Sequence, residues 1–111
     1  MSAPATPFVA QLRAGTGTID LSSGAADAIT IRVEMPEVWN VVRVRAAPSE
    51  AVLAVKVSAL EAMFPQAEMH QDFVLKLRGW EILDEAESLA DAGVIDGSIL
   101  LLTHRRRRAV R

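Results

Sequence analysis

From Ala28 onward, apolar and polar side chains alternate. Ile29, Ile31, Val33 and Met35 are separated by Thr30, Arg32 and Glu34, the period of two that lays one face of a strand against a core. Pro36-Glu37-Val38 interrupts the pattern, which resumes from Trp39 to Ala46 with Val42, Val44 and Ala46 on one face and Val41, Arg43 and Arg45 on the other. Two strands joined so closely predict a hairpin. Pro48-Ser49-Glu50 then opens a helix that meets no breaker before Pro65. Within it Val52, Val55, Ala59 and Met63 recur at helical spacing as the core stripe. Phe73 to Leu77 alternates as a third strand that ends at Gly79, and Ile82-Leu83 suggests a brief fourth. Ser88 to Gly93 predicts a short helical turn, closed by a glycine that accepts the left-handed cap. Asp96-Gly97 turns into Ile99-Leu100-Leu101-Leu102, a continuous apolar run that suits the centre of a sheet. The predicted class is therefore α+β: β-β-α-β-β-turn-β, a mixed sheet of four to five strands packed on one helix. Its expected core is Ile31, Val44, Val55, Leu75, Leu89, Leu100 and Leu102.

Composition narrows what such a fold does. With 111 residues, half of them apolar, the chain suits a single domain. It divides into a flexible or partly docked leader over 1–27, a folded domain over 28–104 and a basic tail over 105–111. In the leader, Phe8, Val9 and Leu12 are the side chains expected to dock, and Ile19 to Leu21 has the makings of a short strand. The absence of cysteine excludes disulfides, thiolate metal sites and cysteine nucleophiles together. No apolar run approaches the roughly 18 residues of a membrane helix, and the opening Met-Ser-Ala-Pro-Ala-Thr-Pro lacks the features of a signal peptide. A cytoplasmic location without a membrane span is the expectation.

The net charge of −2 conceals an asymmetry. Seven basic and fourteen acidic side chains precede His104, whereas Arg105, Arg106, Arg107, Arg108 and Arg111 crowd the last residues. Glu81, Asp84, Glu85, Glu87, Asp91 and Asp96 form an acidic stretch without an intervening base. These acids lack the spacing of a calcium loop. His70 and His104 stand in separate segments without a carboxylate cluster, which makes no zinc site. No Gly-x-Ser-x-Gly accompanies the serines, and Gly15-Thr16-Gly17 has no strand, helix or lysine to make it a phosphate loop. The expectation is a binding protein without catalytic residues, metal or cofactor.

Three surface features remain. If Ile31, Val42 and Leu75 point inward, alternation turns Arg32, Arg43, Arg45, Lys76 and Arg78 outward, beside Val41, Val74 and Leu101. Arginine among aliphatic groups is a common interface composition, so these eight residues are the candidate partner-binding surface. On the helix, Leu53, Val57, Leu60 and Phe64 form a second apolar stripe that the leader, or else a partner, is expected to cover. The run Arg105, Arg106, Arg107 and Arg108 is the candidate tail contact, for nucleic acid, an anionic surface, an acidic protein or the domain's own acids.

Ala47-Pro48-Ser49-Glu50-Ala51-Val52, Leu75-Lys76-Leu77-Arg78-Gly79-Trp80-Glu81-Ile82 and Ser88-Leu89-Ala90-Asp91-Ala92-Gly93-Val94 through Leu102 resemble, in that order, segments of the ubiquitin superfamily. The resemblance implies a ubiquitin-like β-grasp over the predicted domain. Leu89 to Val94 followed by Asp96-Gly97 looks most like bacterial members tied to type VII secretion, the YukD-type proteins and the N-terminal domain of the EccD membrane component. It implies a protein partner, with an acidic surface or a secretion-system component as its expected form and self-association as another. Conjugated members and sulfur carriers end in Gly-Gly, whereas no glycine follows Gly97 here, so a modifier or sulfur carrier is disfavoured. Lys76 replaces the central isoleucine of ubiquitin's recognition patch. A nucleic-acid-binding domain with a basic face is the alternative from another class.

Overall fold

The computed structural model describes residues 18–105. Its elements are β1 (Thr18–Asp20), β2 (Ile29–Met35), β3 (Asn40–Ala46), α1 (Val52–Met63), β4 (Phe73–Leu77), β5 (Trp80–Glu81) and β6 (Ile99–His104). Short 3-10 turns lie at Pro36–Val38 and His70–Asp72. The strands form one mixed sheet in the order β1-β3-β2-β6-β4-β5, with α1 on one face. This is the expected α+β class, with six strands instead of four to five. The added strand is β1, which pairs in parallel with β3 and buries Ile19 opposite Val44. Order therefore starts ahead of Ala28, because one alternating triplet is enough to extend an existing sheet edge.

All seven expected core residues are at most 1% exposed, and Val52, Val55, Ala59 and Met63 are buried beneath the helix. The register follows the alternation: Ile31 faces Val44, Val33 faces Val42, and Leu75 faces Leu102. The continuous run in β6 is central, parallel to β2 and antiparallel to β4. The fourth strand comes two residues earlier than Ile82-Leu83. Leu77 and Trp80 close a hairpin whose loop is Arg78-Gly79, with φ of 53° and 87°. Positive φ at both loop residues matches the right-handed strand twist.

The helix starts at Val52, later than Pro48-Ser49-Glu50 suggested, and its N-cap Ala51 offers no side-chain acceptor. Backbone replaces it. The Val52 amide donates to the Glu87 carbonyl at 3.0 Å and the Leu53 amide to the Glu85 carbonyl at 2.8 Å. Leu89 and Ala90 donate back to Glu50 and Pro48 at 2.9 and 3.0 Å. The acidic stretch thus satisfies orphan donors of the helix start, where the helix dipole also favours negative charge. Ser88 to Gly93 forms the expected short turn: the Ala92 amide donates to the Ser88 carbonyl at 3.0 Å, and Gly93 closes it with a φ of 90°.

Candidate interaction surface

Pairing fixes which side chains share the sheet face opposite the helix. One row reads Asp20, Arg45 and Thr30; the next reads Thr18, Arg43, Arg32 and Ile99. A third reads Val41, Glu34, Leu101, Lys76 and Glu81, and Thr103 stands beside Val74. Arg32, Val41, Arg43, Arg45, Val74, Lys76 and Leu101 therefore do lie on one face. Arg78 does not belong with them. It occupies the β4–β5 turn, where a positive φ ends the alternation on which its placement rested.

Two side chains are less available than alternation implies. Val74 is only 3% exposed. Arg105 reaches from the end of β6 to Glu81 on β5, with Nη1 3.2 Å from Oε2, while its Nε donates to the Gln71 carbonyl at 3.2 Å. Since β4 lies between β6 and β5, this side chain crosses the strand that carries Val74. Arg105 is thereby engaged within the domain. Arg106, Arg107 and Arg108 lie outside the described residues, as do Phe8, Val9 and Leu12.

The face is also less uniformly basic than the arginine count suggests. Glu34 lies on it by the same parity as Arg32, and the two pair at 3.6 Å with both side chains exposed. Asp20 stands opposite Arg45 and Glu81 opposite Lys76. The Asp20 carboxyl is held below its usual range, first by the Ser22 hydroxyl at 2.6 Å and then by the Ser22 amide at 2.9 Å. The one cross-strand like-charge pair among these rows is Arg32 with Arg43. They border a hollow of about 230 Å³ that Thr30, Gly97 and Ile99 also line. Ile99 is 50% exposed and Val41 48%.

Alternation did not single out Ile99, although its spacing from Leu101 carried that signal. Trp39, where the alternation predicts the first residue of a strand, is 91% exposed. It instead ends the Pro36–Val38 turn with a φ of 51° and stands outside the sheet. Next to it Glu37 ties the hairpin tip to β6, accepting from the Thr103 hydroxyl at 2.6 Å and the His104 amide at 2.8 Å. Glu37, Thr103, His104 and Arg105 line a broad hollow of about 700 Å³ with Val74, Lys76 and Glu81. Glu37, Lys76, Glu81 and Arg105 make the character of this hollow polar.

No group of three or more His, Cys, Asp or Glu side chains suited to a metal occurs among the described residues. No helix among them is long and apolar enough to cross a membrane. The second helix stripe is covered only in part: Leu60 is buried and Phe64 packs against the core, its ring edge-on to Phe73 at 5.9 Å, while Leu53 and Val57 stay half-buried.

No protein-family model matches the sequence, and no curated protein matches it significantly. Solved structures do match. The ubiquitin-like domain of an Arabidopsis thaliana protein superposes with a TM-score of 0.61 at 20% identity, covering 81% of this chain and 92% of that one. Caldiarchaeum subterraneum ubiquitin superposes with a TM-score of 0.59 at 20% identity, over 74% of this chain and 99% of that one. The N-terminal ubiquitin-like domain of a further protein gives 0.57 at 20% identity, over 81% and 94%. The fold is thus a ubiquitin-like β-grasp with an added edge strand.

Proposed function

We propose that this chain is a non-conjugated ubiquitin-like protein-interaction module that binds through the sheet face opposite its helix. The observation that carries the reading is the open face itself: nothing in the described chain covers Val41 and Ile99, which flank the paired Arg32 and Arg43. Aliphatic groups supply area for burial, and the arginines supply orientation and rate toward an acidic partner. Arg32, Val41, Arg43, Arg45, Lys76 and Leu101 form the contact surface, with Ile99 added. The lack of a metal constellation among the described residues is in keeping with binding. The likeness of Leu89 to Val94 and Asp96-Gly97 to bacterial type VII secretion proteins supports an accessory or regulatory role in such a system, at its cytoplasmic side. Nucleic acid is the weaker reading, because Glu34, Asp20 and Glu81 interrupt the basic rows and Arg105 is engaged with Glu81.

The test is affinity capture from a lysate of the source cell, with Arg43→Glu plus Lys76→Glu as the comparison. Wild-type protein is expected to retain a secretion-system component, and the double variant is expected to lose it at an unchanged melting temperature. Capture that survives the double substitution but is lost on deleting residues 106–111 moves the site to the tail and overturns the reading.

A further inference from the structure

At the C-terminal end of α1, Val57, Leu60 and Phe64 form the apolar floor of a groove of about 250 Å³, completed by Pro65, Ala67 and His70. Glu61 and Glu68 stand on its rim, both exposed. His70 Nδ1 is shielded from solvent without a hydrogen-bond partner, the one such side-chain atom among the described residues. An apolar trough with an acidic rim suits a short segment that combines basic and aliphatic side chains. We propose that the occupant is this chain's own segment Arg106-Arg107-Arg108-Ala109-Val110-Arg111.

Three observations converge on that occupant. The described chain leaves β6 beside the groove: the Arg105 amide donates to the Asp72 carbonyl at 2.6 Å, and its Nε donates to the Gln71 carbonyl. Gln71 and Asp72 directly follow His70 in the loop that lines the groove. The Phe73 ring links the two places, lying 5.9 Å from Phe64 on the groove floor and 5.0 Å from His104 at the strand end. Residues 106–111 extend up to about 20 Å, ample for that span. Charge is complementary too, since the arginines would meet Glu61 and Glu68 while Ala109 and Val110 match the floor. The leader joins the domain farther off: Thr18 on β1 stands four strand spacings from β4 in the sheet order, or about 19 Å, whereas Arg105 is bonded to the groove loop itself.

The chain has no cysteine, so a nitroxide on Val110→Cys of the full chain labels one site. The amide signals of Leu60, Phe64, Ala67 and Glu68 are expected to lose most of their intensity through paramagnetic broadening, while those of Arg43 and Gly97 keep theirs. Glu61→Lys with Glu68→Lys, which replaces two exposed side chains, is expected to restore the lost intensity without shifting the core amides. Absent broadening at the groove, or broadening unmoved by the charge reversal, overturns the proposal. The same broadening in isotope-labelled chain without nitroxide, on mixing with spin-labelled chain of natural isotope abundance, assigns the groove to a second copy. A nitroxide on Val9→Cys that broadens the same amides in place of the Val110 label assigns it to the leader.

Discussion

Burying a lysine ammonium among aliphatic side chains costs several kcal/mol unless close, well-directed partners answer the charge. Lys56 is 1% exposed and has such partners: Nζ lies 2.7 and 2.8 Å from the two Glu85 carboxylate oxygens and donates to the Phe73 carbonyl at 2.9 Å. The pair ties α1 to the start of β4 and to the acidic loop. Removing one partner strands the other charge, so Glu85→Ala is expected to cost on the order of 3 kcal/mol, moderated by the partial water access of Glu85. Lys56→Met together with Glu85→Met, which replaces the whole pair by apolar groups of similar volume, is expected to stay within about 1 kcal/mol of wild type. Chemical denaturation of both variants measures the difference; equal losses would show that the pair itself stabilises the fold. Core packing is expected to be as exacting, with Leu100→Ala costing about 2–5 kcal/mol by the same measurement. Glu37 adds a pH dependence. Burial raises its carboxyl, but the Thr103 hydroxyl and the His104 amide more than offset this and hold it below the usual range. A carboxyl depressed in the folded state stabilises the fold above its unfolded pKa, and that contribution is lost as pH falls through the folded pKa. The melting temperatures of wild type and Glu37→Gln are therefore expected to differ most near neutral pH and to converge as the pH falls below the ~4.3 of an unperturbed glutamate.

Among the elements, those with regular period were legible from sequence and those defined by single contacts were not. Strands β2, β3 and β4 follow from alternation because each packs one face on the helix, and a register slip would turn that whole face to water; β6 follows from its unbroken apolar run. The helix core stripe was equally plain. Lys56 escaped notice because its charge argued for the surface at a position that helical spacing places in the core. The screening of Val74 by Arg105 depends on a residue 31 positions away in sequence, which no local pattern encodes. β1 is the instructive case. Its signal is a short strand at Ile19 to Leu21, which the structure places one residue earlier, at Thr18–Asp20, with Ile19 buried and the Leu21 amide donating to the Arg45 carbonyl at 2.7 Å. So short an edge strand is expected to open independently of the core. Ile19→Asp should abolish hydrogen-exchange protection of the Leu21 amide and leave the Leu100 and Leu102 amides protected. Simultaneous loss of protection at all three would make β1 an integral part of the cooperative unit.

At the scale of the whole molecule, the separation of basic and acidic surface invites head-to-tail association, in which the arginine face of one copy meets the acidic stretch of the next and the contact propagates. The structure draws most of those acids into contacts within the chain. Glu81 pairs with Arg105 and Glu85 with Lys56, Asp96 accepts the Thr30 amide at 2.8 Å, and Asp84 accepts the Ala86 amide at 3.1 Å. Glu87 and Asp91 remain, and exposed ion pairs contribute only about 0.2–1 kcal/mol each, far below the roughly 8 kcal/mol of a micromolar complex. Lowering the ionic strength lengthens the range of surface attraction but does not free the engaged carboxylates. Sedimentation is therefore expected to report the 12.0 kDa monomer at both low and moderate salt. Asp96→Lys with Glu87→Lys should leave that mass unchanged. A mass that rises as salt is lowered, and returns to the monomer in this double variant, would show that the acidic stretch does engage a second copy and that its internal contacts yield to it.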